Sequence, residues 1–156
     1  MNQKGGVGKT TTVLNLSYAI SKLKKSVLAI DFDPQASLTW ALGYNPEEIE
    51  NTIYSLMLGA SDFENTIIKT RYGFDFIPSS IDLAAAEVVF ATKIGREKIL
   101  KSTIENLDYE FILIDTQPSL GILTINALTA CEKVLIPVSC QYLSLKGLEF
   151  LLKTIK

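Results

Sequence analysis

Close to its start the sequence reads Asn2-Gln-Lys-Gly-Gly-Val-Gly-Lys-Thr10, a glycine-rich run that closes on lysine and threonine. Gly5, Gly6 and Gly8 lack a β-carbon, so the backbone there can take positive φ and come close to an anion. The N–H groups of Gly5, Gly6, Val7, Gly8, Lys9, Thr10 and Thr11, together with the N-terminus of the helix expected next, converge on a phosphate. Lys9 is spaced to reach the β and γ phosphates of a nucleotide, and the Thr10 hydroxyl to ligate Mg²⁺. The usual phosphate-loop spacing, GxxxxGKS or GxxxxGKT, is not met strictly, because its first glycine falls on Gln3. An extra lysine, Lys4, stands early in the loop instead.

Carboxylates follow at two strand ends. Ile30-Asp-Phe-Asp-Pro-Gln35 closes one apolar run with Asp31 and Asp33, and Phe111-Ile-Leu-Ile-Asp115 closes another with Asp115. Ligands of open α/β sheets sit beyond the carboxyl ends of strands, which directs these aspartates toward the glycine-rich loop. Asp115 after an apolar strand is the arrangement that holds Mg²⁺, directly or through water. The chain contains no histidine, which removes imidazole acid–base chemistry and most zinc chemistry. Cys131 and Cys140 have neither CxxC spacing nor a disulfide framework and read as two reduced, buried thiols. Hydrolysis by this chain therefore rests on positioning, metal and charge.

The elements that must position these groups alternate. Short apolar runs at 26–30, 111–114 and 134–137 read as parallel strands buried on both faces, with a fourth strand at 73–77 ended by Pro78. Helices are expected over 10–24, 52–58, 81–92 (capped by Ser79 or Ser80), 95–107, 120–131 and 144–156. Tyr109, Phe111, Phe74 and Phe76 read as core. The fold class is α/β: a mostly parallel, doubly wound sheet with helices on both faces. The 156 residues suffice for one domain spanning 1–156, with 47% apolar and 21% charged residues. A net charge of −2 and a pI near 5.2 announce no nucleic-acid surface, and Lys22, Lys24 and Lys25 read as a solvated helix end. No apolar run approaches the roughly 20 residues that span a bilayer. A phosphate loop needs a strand feeding it, yet the loop begins at residue 2 or 3, and the sequence stops within an expected helix. The chain therefore reads as a domain whose first strand and C-terminal part are missing.

Lys4-Gly-Gly-Val-Gly-Lys-Thr-Thr11 resembles the deviant Walker A loop of the ParA/MinD superfamily, whose signature lysine is the early one. Asp31-Phe-Asp-Pro-Gln-Ala36 resembles its switch I, and Ile114-Asp-Thr-Gln-Pro-Ser-Leu-Gly121 its Walker B and switch II. Residues 137–147 resemble the strand-to-helix segment that follows in ParA/Soj-type partition ATPases. The resemblance implies a P-loop NTPase using ATP and Mg²⁺. In it, Lys4 reaches the partner's phosphates across a nucleotide-sandwich homodimer, and Gly5 is small at that contact. Asp33 orients the attacking water, and Asp115 serves the metal. It further implies a ParB/Spo0J-like stimulating protein, non-specific DNA binding by the ATP-bound dimer, and a cytoplasmic or nucleoid location without membrane association. One departure stands in switch II, where Gln117 replaces the first of two prolines.

Other readings make different demands. A MinD-like membrane-associated ATPase would use the leucine- and lysine-bearing helix expected at 144–156 as a basic amphipathic anchor. An iron-protein-like electron-transfer ATPase would need cysteines close to switch II, whereas Cys131 and Cys140 lie away from it. An inactive, truncated remnant would have unpaired sheet edges and low stability.

Overall fold

A computed structural model of the chain describes residues 6–138. The first helix, α1 (Lys9–Lys22), follows Gly8, whose φ of 87° turns the chain into it. It ends where Leu23 and Lys24 cap the Ile20 and Ser21 carbonyls, with Lys24 itself in the left-handed region at φ 63°. Strand β1 (Val27–Phe32) is buried along its whole length, as a continuous apolar run with both faces covered should be. There follow α2 (Ser37–Ala41), a 3-10 turn Pro46–Glu48, α3 (Ile53–Leu58) and α4 (Phe63–Thr66). Strands β2 (Ile68–Lys69) and β3 (Asp75–Ile77) lead to α5 (Ala86–Val89), α6 (Ile99–Ile104), β4 (Phe111–Thr116) and α7 (Ile122–Ala130).

The sheet has the order β2-β3-β1-β4, with β1 parallel to both β3 and β4 and only the β2–β3 pair antiparallel. Alternation along the strands sends side chains to two faces. Leu28, Ile30, Phe32 and Ile77 pack under α3, α5, α6 and α7, through Ile53, Leu56, Ala86, Phe90, Leu100, Ile104, Leu123 and Ala127. Val27, Ala29 and Phe76 pack under α1 and α2 through Val13, Leu14, Ile20 and Leu38. The mostly parallel sheet with helices on both faces is thus the one expected. Truncating fully buried Phe32 to alanine would cost about 3–5 kcal/mol.

Several expectations need correction. Residues 134–137 form no strand; Val134 and Leu135 are 40% and 56% exposed, and β4 pairs with no strand other than β1 among the described residues. The segment 81–92 is a 3-10 turn (Ile81–Ala85) followed by a single turn of α-helix, and Ser80 precedes it without a side-chain capping bond. Residues 95–107 likewise contract to a 3-10 turn (Arg96–Lys98), preceded by Gly95 at φ 72°, and α6. Phe111 is 44% exposed at the start of β4 rather than core, whereas Phe74 and Phe76 are buried. Cys131 follows α7 and is half-buried instead of sealed inside it. Cys140 and the helix expected at 144–156 lie outside the described residues.

Candidate functional site

The β1–β4 ladder places Asp31 opposite Asp115. Registered residues of a parallel pair project to the same face, so both carboxylates lie on the α1 side of the sheet, beyond Ala29 and Leu113. Helix α1 packs on both strands and begins at this end. Gly6 and Gly8, at φ 75° and 87°, carry the loop into it, and Thr12 donates its backbone N–H and its hydroxyl to the Gly8 carbonyl, at 2.9 and 2.7 Å. That bond fixes the first turn of α1 and leaves the side chains of Lys9 and Thr10 beside the strand ends.

Asp115 is 1% exposed, and neither of its oxygens accepts a hydrogen bond of normal geometry from a described residue. Burial pushes its carboxyl above the usual range. The adjacent Thr10 hydroxyl opposes that shift, Asp33 adds to it, and Lys9 opposes it in turn. Asp31 is equally buried but fully engaged. Its Oδ2 accepts from the Thr39 N–H and hydroxyl, both at 2.8 Å, and its Oδ1 from the Asp33 N–H at 3.3 Å. Burial still raises it to about 7, with the Thr39 bonds pulling down and the Asp115 charge pushing up. Asp33 is half-buried, and its Oδ1 accepts from the Gln35 N–H at 2.9 Å, closing the turn through Pro34.

The structure therefore brings together Lys9, Thr10, Asp33 and Asp115, with Gly6, Val7 and Gly8 leading in and Thr11 exposed on the first turn of α1. Lys4 and Gly5 lie outside the described residues. Sequence reasoning missed Thr39. Its hydroxyl donates to Asp31 and accepts from the Ser79 N–H at 3.1 Å, tying the β1 end to the β3 end. Nothing in the spacing marks that threonine, because α2, which carries it, is only five residues long.

A buried carboxylate with unused lone pairs beside a hydroxyl is an oxygen donor set for a hard divalent cation. Among the described residues no cluster of three acidic, cysteine or histidine side chains forms a metal cage. Mg²⁺ takes one or two protein oxygens and completes its shell with phosphate and water.

Comparison with known proteins places the chain in a family. A family model described as "AAA domain" matches residues 1–156. The chain belongs to that family. Within it, the chain is of the ParA/Soj type. It is 44% identical over 158 residues to the sporulation initiation inhibitor protein Soj of Bacillus subtilis (strain 168), covering 99% of this chain and 62% of that protein. It is 38% identical over 160 residues to the chromosome partitioning protein ParA of Caulobacter vibrioides (strain NA1000 / CB15N), covering 99% and 60%. A crystal structure of cobyrinic acid a,c-diamide synthase from Mycobacterium smegmatis, with bound ATP analog and magnesium, superposes with a TM-score of 0.95 at 39% identity, covering 99% of this chain and 64% of that one. The chain thus spans 62% and 60% of the length of these two curated relatives. No described helix is long and apolar enough to cross a membrane.

Proposed function

We propose that residues 1–156 form one P-loop domain that binds Mg-ATP and hydrolyses it to ADP and phosphate, as part of a ParA/Soj-type partition ATPase. The observation that carries this reading is the Asp115 carboxylate, buried with the Thr10 hydroxyl beside it but no donor at full hydrogen-bonding geometry, at the mouth of the glycine-rich loop. Desolvating a carboxylate without a partner costs several kcal/mol, so such a group persists where a cation compensates it. The relatives supply the identity of the ligand, since the Mycobacterium smegmatis structure holds an ATP analog and magnesium.

In this reading the N–H groups of Gly5, Gly6, Val7, Gly8, Lys9, Thr10 and Thr11 cradle the phosphates. Lys9 neutralises charge on the β and γ phosphates, and Thr10 and Asp115 hold Mg²⁺. When bound, Mg²⁺ would offset the negative charge that develops during transfer. Asp33, at the half-buried end of the β1 turn, orients water for in-line attack, and Lys4 reaches the phosphates held by a second copy. With positioning and charge as the sources of catalysis and no strong base, turnover is slow without a stimulating partner. The ATP-bound state is a homodimer, its stimulator a ParB/Spo0J-like protein and its track non-specific DNA, in a cytoplasmic, nucleoid-associated location.

The test is titration of a fluorescent ATP analogue with Mg²⁺ against the chain, beside Lys9→Ala. Saturable binding that disappears in Lys9→Ala is the expected result, and Asp33→Ala is expected to keep binding while losing turnover. Equal binding by the parent chain and Lys9→Ala would overturn the assignment of the loop.

A further inference from the structure

The turn from β1 into α2 is held in a conformation that its own residues do not favour. Ala36 is buried and stands at φ 51°, in the left-handed region that side chains with a β-carbon rarely adopt. As the residue that caps α2 it offers no side-chain oxygen to the N–H groups of the first turn. Asp31 supplies that acceptor from β1. Its Oδ2 takes both the Thr39 N–H and the Thr39 hydroxyl at 2.8 Å, and its Oδ1 takes the Asp33 N–H at 3.3 Å. One buried carboxylate thus clasps both ends of the segment 33–39. Within the clasp the Asp33 carbonyl accepts from the Ala36 N–H at 2.9 Å. From the far side the Ser79 N–H donates to the Thr39 hydroxyl at 3.1 Å, which anchors the clasp to the end of β3. Asp33 leaves this turn close enough to Asp115 to push its carboxyl up.

We propose that Thr39 is a positioning residue for ATP hydrolysis: through the Asp31 carboxylate it holds the left-handed turn at Ala36 and so aims Asp33 toward Asp115. A backbone conformation of this kind persists only where its surroundings over-determine it. The Thr39 hydroxyl supplies two of those constraints, the bond to Asp31 and the bond from Ser79. Without it the turn is free to relax toward an ordinary φ, and Asp33 moves with it. The role is separate from the seating of α2, because Leu38 and Leu42 carry that helix into the core. The catalytic part of this proposal rests on the ATPase reading above; the clasp itself does not.

The experiment combines amide hydrogen exchange, which needs no nucleotide, with steady-state ATP hydrolysis. It compares the parent chain with Thr39→Val, Thr39→Ser, Asp33→Ala and the Asp33→Ala/Thr39→Val double variant. In the parent chain the Thr39 and Ser79 amides are expected to exchange within about tenfold of the β1 amides Ala29 and Ile30, which report on global opening. Thr39→Val is expected to raise exchange over 33–40 about tenfold more than at Ala29 and Ile30, and Thr39→Ser to retain protection. In hydrolysis, Thr39→Val is expected to lower kcat about tenfold with the KM for ATP unchanged, and Thr39→Ser to restore it. In the Asp33→Ala background, Thr39→Val is expected to remove nothing further, because it acts through Asp33. Unprotected Thr39 or Ser79 amides in the parent chain overturn the clasp whether or not the valine variant folds, as does a rise over 33–40 no larger than that at Ala29 and Ile30. Loosened exchange with unchanged kcat, or an undiminished loss in the Asp33→Ala background, overturns the positioning role. Failure of the parent chain to bind Mg-ATP would instead refute the function proposed above, while the exchange result still reports on the clasp.

Discussion

Asp31 and Asp115 stand opposite each other on neighbouring parallel strands, equally buried and facing the same helix, yet their surroundings differ completely. Asp31 accepts three hydrogen bonds, two of them from Thr39. Asp115 has only the nearby Thr10 hydroxyl, which does not reach normal hydrogen-bonding geometry. The pair teaches that burial alone does not separate a structural carboxylate from a ligand-binding one; satisfaction of the lone pairs does. Asp31 is the internal brace that locks the turn after β1 onto α2 and β3. Asp115 keeps its lone pairs available toward the loop that precedes α1.

The contrast can be broken most sharply by amide replacement. Asp115→Asn is expected to lower Mg-dependent ATP turnover by a factor on the order of 100 or more, while leaving the protein no less stable. Chemical denaturation beside an ATPase assay reads both quantities, and a strongly destabilised Asp115→Asn would erase the distinction between the two aspartates.

Next in size is a pH effect without metal. Asp31 is raised to about 7 and Asp115 is also raised, so the folded state holds protons that the unfolded chain has released. Stability is therefore greatest below the unfolded value, near 4, and falls as pH rises toward about 7, by at most about 1.4 kcal/mol per pH unit for each group. Urea melts in EDTA from pH 5 to 8 should display that fall. Asp31→Asn, which keeps an acceptor for Thr39, should flatten it. A stability that climbs over this range would mean the carboxylates are not desolvated as described.

Adding Mg-ATP should relieve Asp115 and leave Asp31 untouched. At about 100 times Kd the stabilisation is about 2.7 kcal/mol, and Asp115→Asn should lose most of it while Asp31→Asn keeps it. Thermal melts with and without ligand separate the two variants. The smallest effect belongs to Thr39→Val, which deprives Asp31 of one donor and the Ser79 N–H of its acceptor. A cost of about 1–3 kcal/mol in stability is expected, with nucleotide affinity unchanged. An affinity loss as large as that of Lys9→Ala would move Thr39 from brace to binding group.

How much of this was legible beforehand depended on whether the cause was local. The turn into α1 was legible because only glycine tolerates the φ that Gly6 and Gly8 adopt, and Asp115 was legible because an apolar strand ran straight into it. Helix α3 was expected over 52–58, and the structure adds its cap, with the Thr52 N–H bonded to Ser55 Oγ at 2.9 Å. Asp31 and Asp33 were harder. They share strand parity, and nothing in Asp-Phe-Asp-Pro says which carboxylate is buried against Thr39. The strand expected at 134–137 rested on apolarity alone, which does not by itself set a strand. The short helix α2 and the antiparallel strand β2 left no periodic pattern long enough to read.

What the sequence by itself determined is the chemistry on offer: a glycine-rich anion loop with Lys9 and Thr10, carboxylates at strand ends, no imidazole, and an alternation of apolar runs that demands a covered parallel sheet. These follow from side-chain composition and backbone freedom, which act over a few residues. Only the tertiary structure decided the register that sets Asp31 against Asp115 and the Thr39 bonds that satisfy one and not the other. Those outcomes depend on which strands become neighbours and how close two backbones come. Contacts between segments far apart in the chain fix both, and such contacts leave no local trace in the sequence.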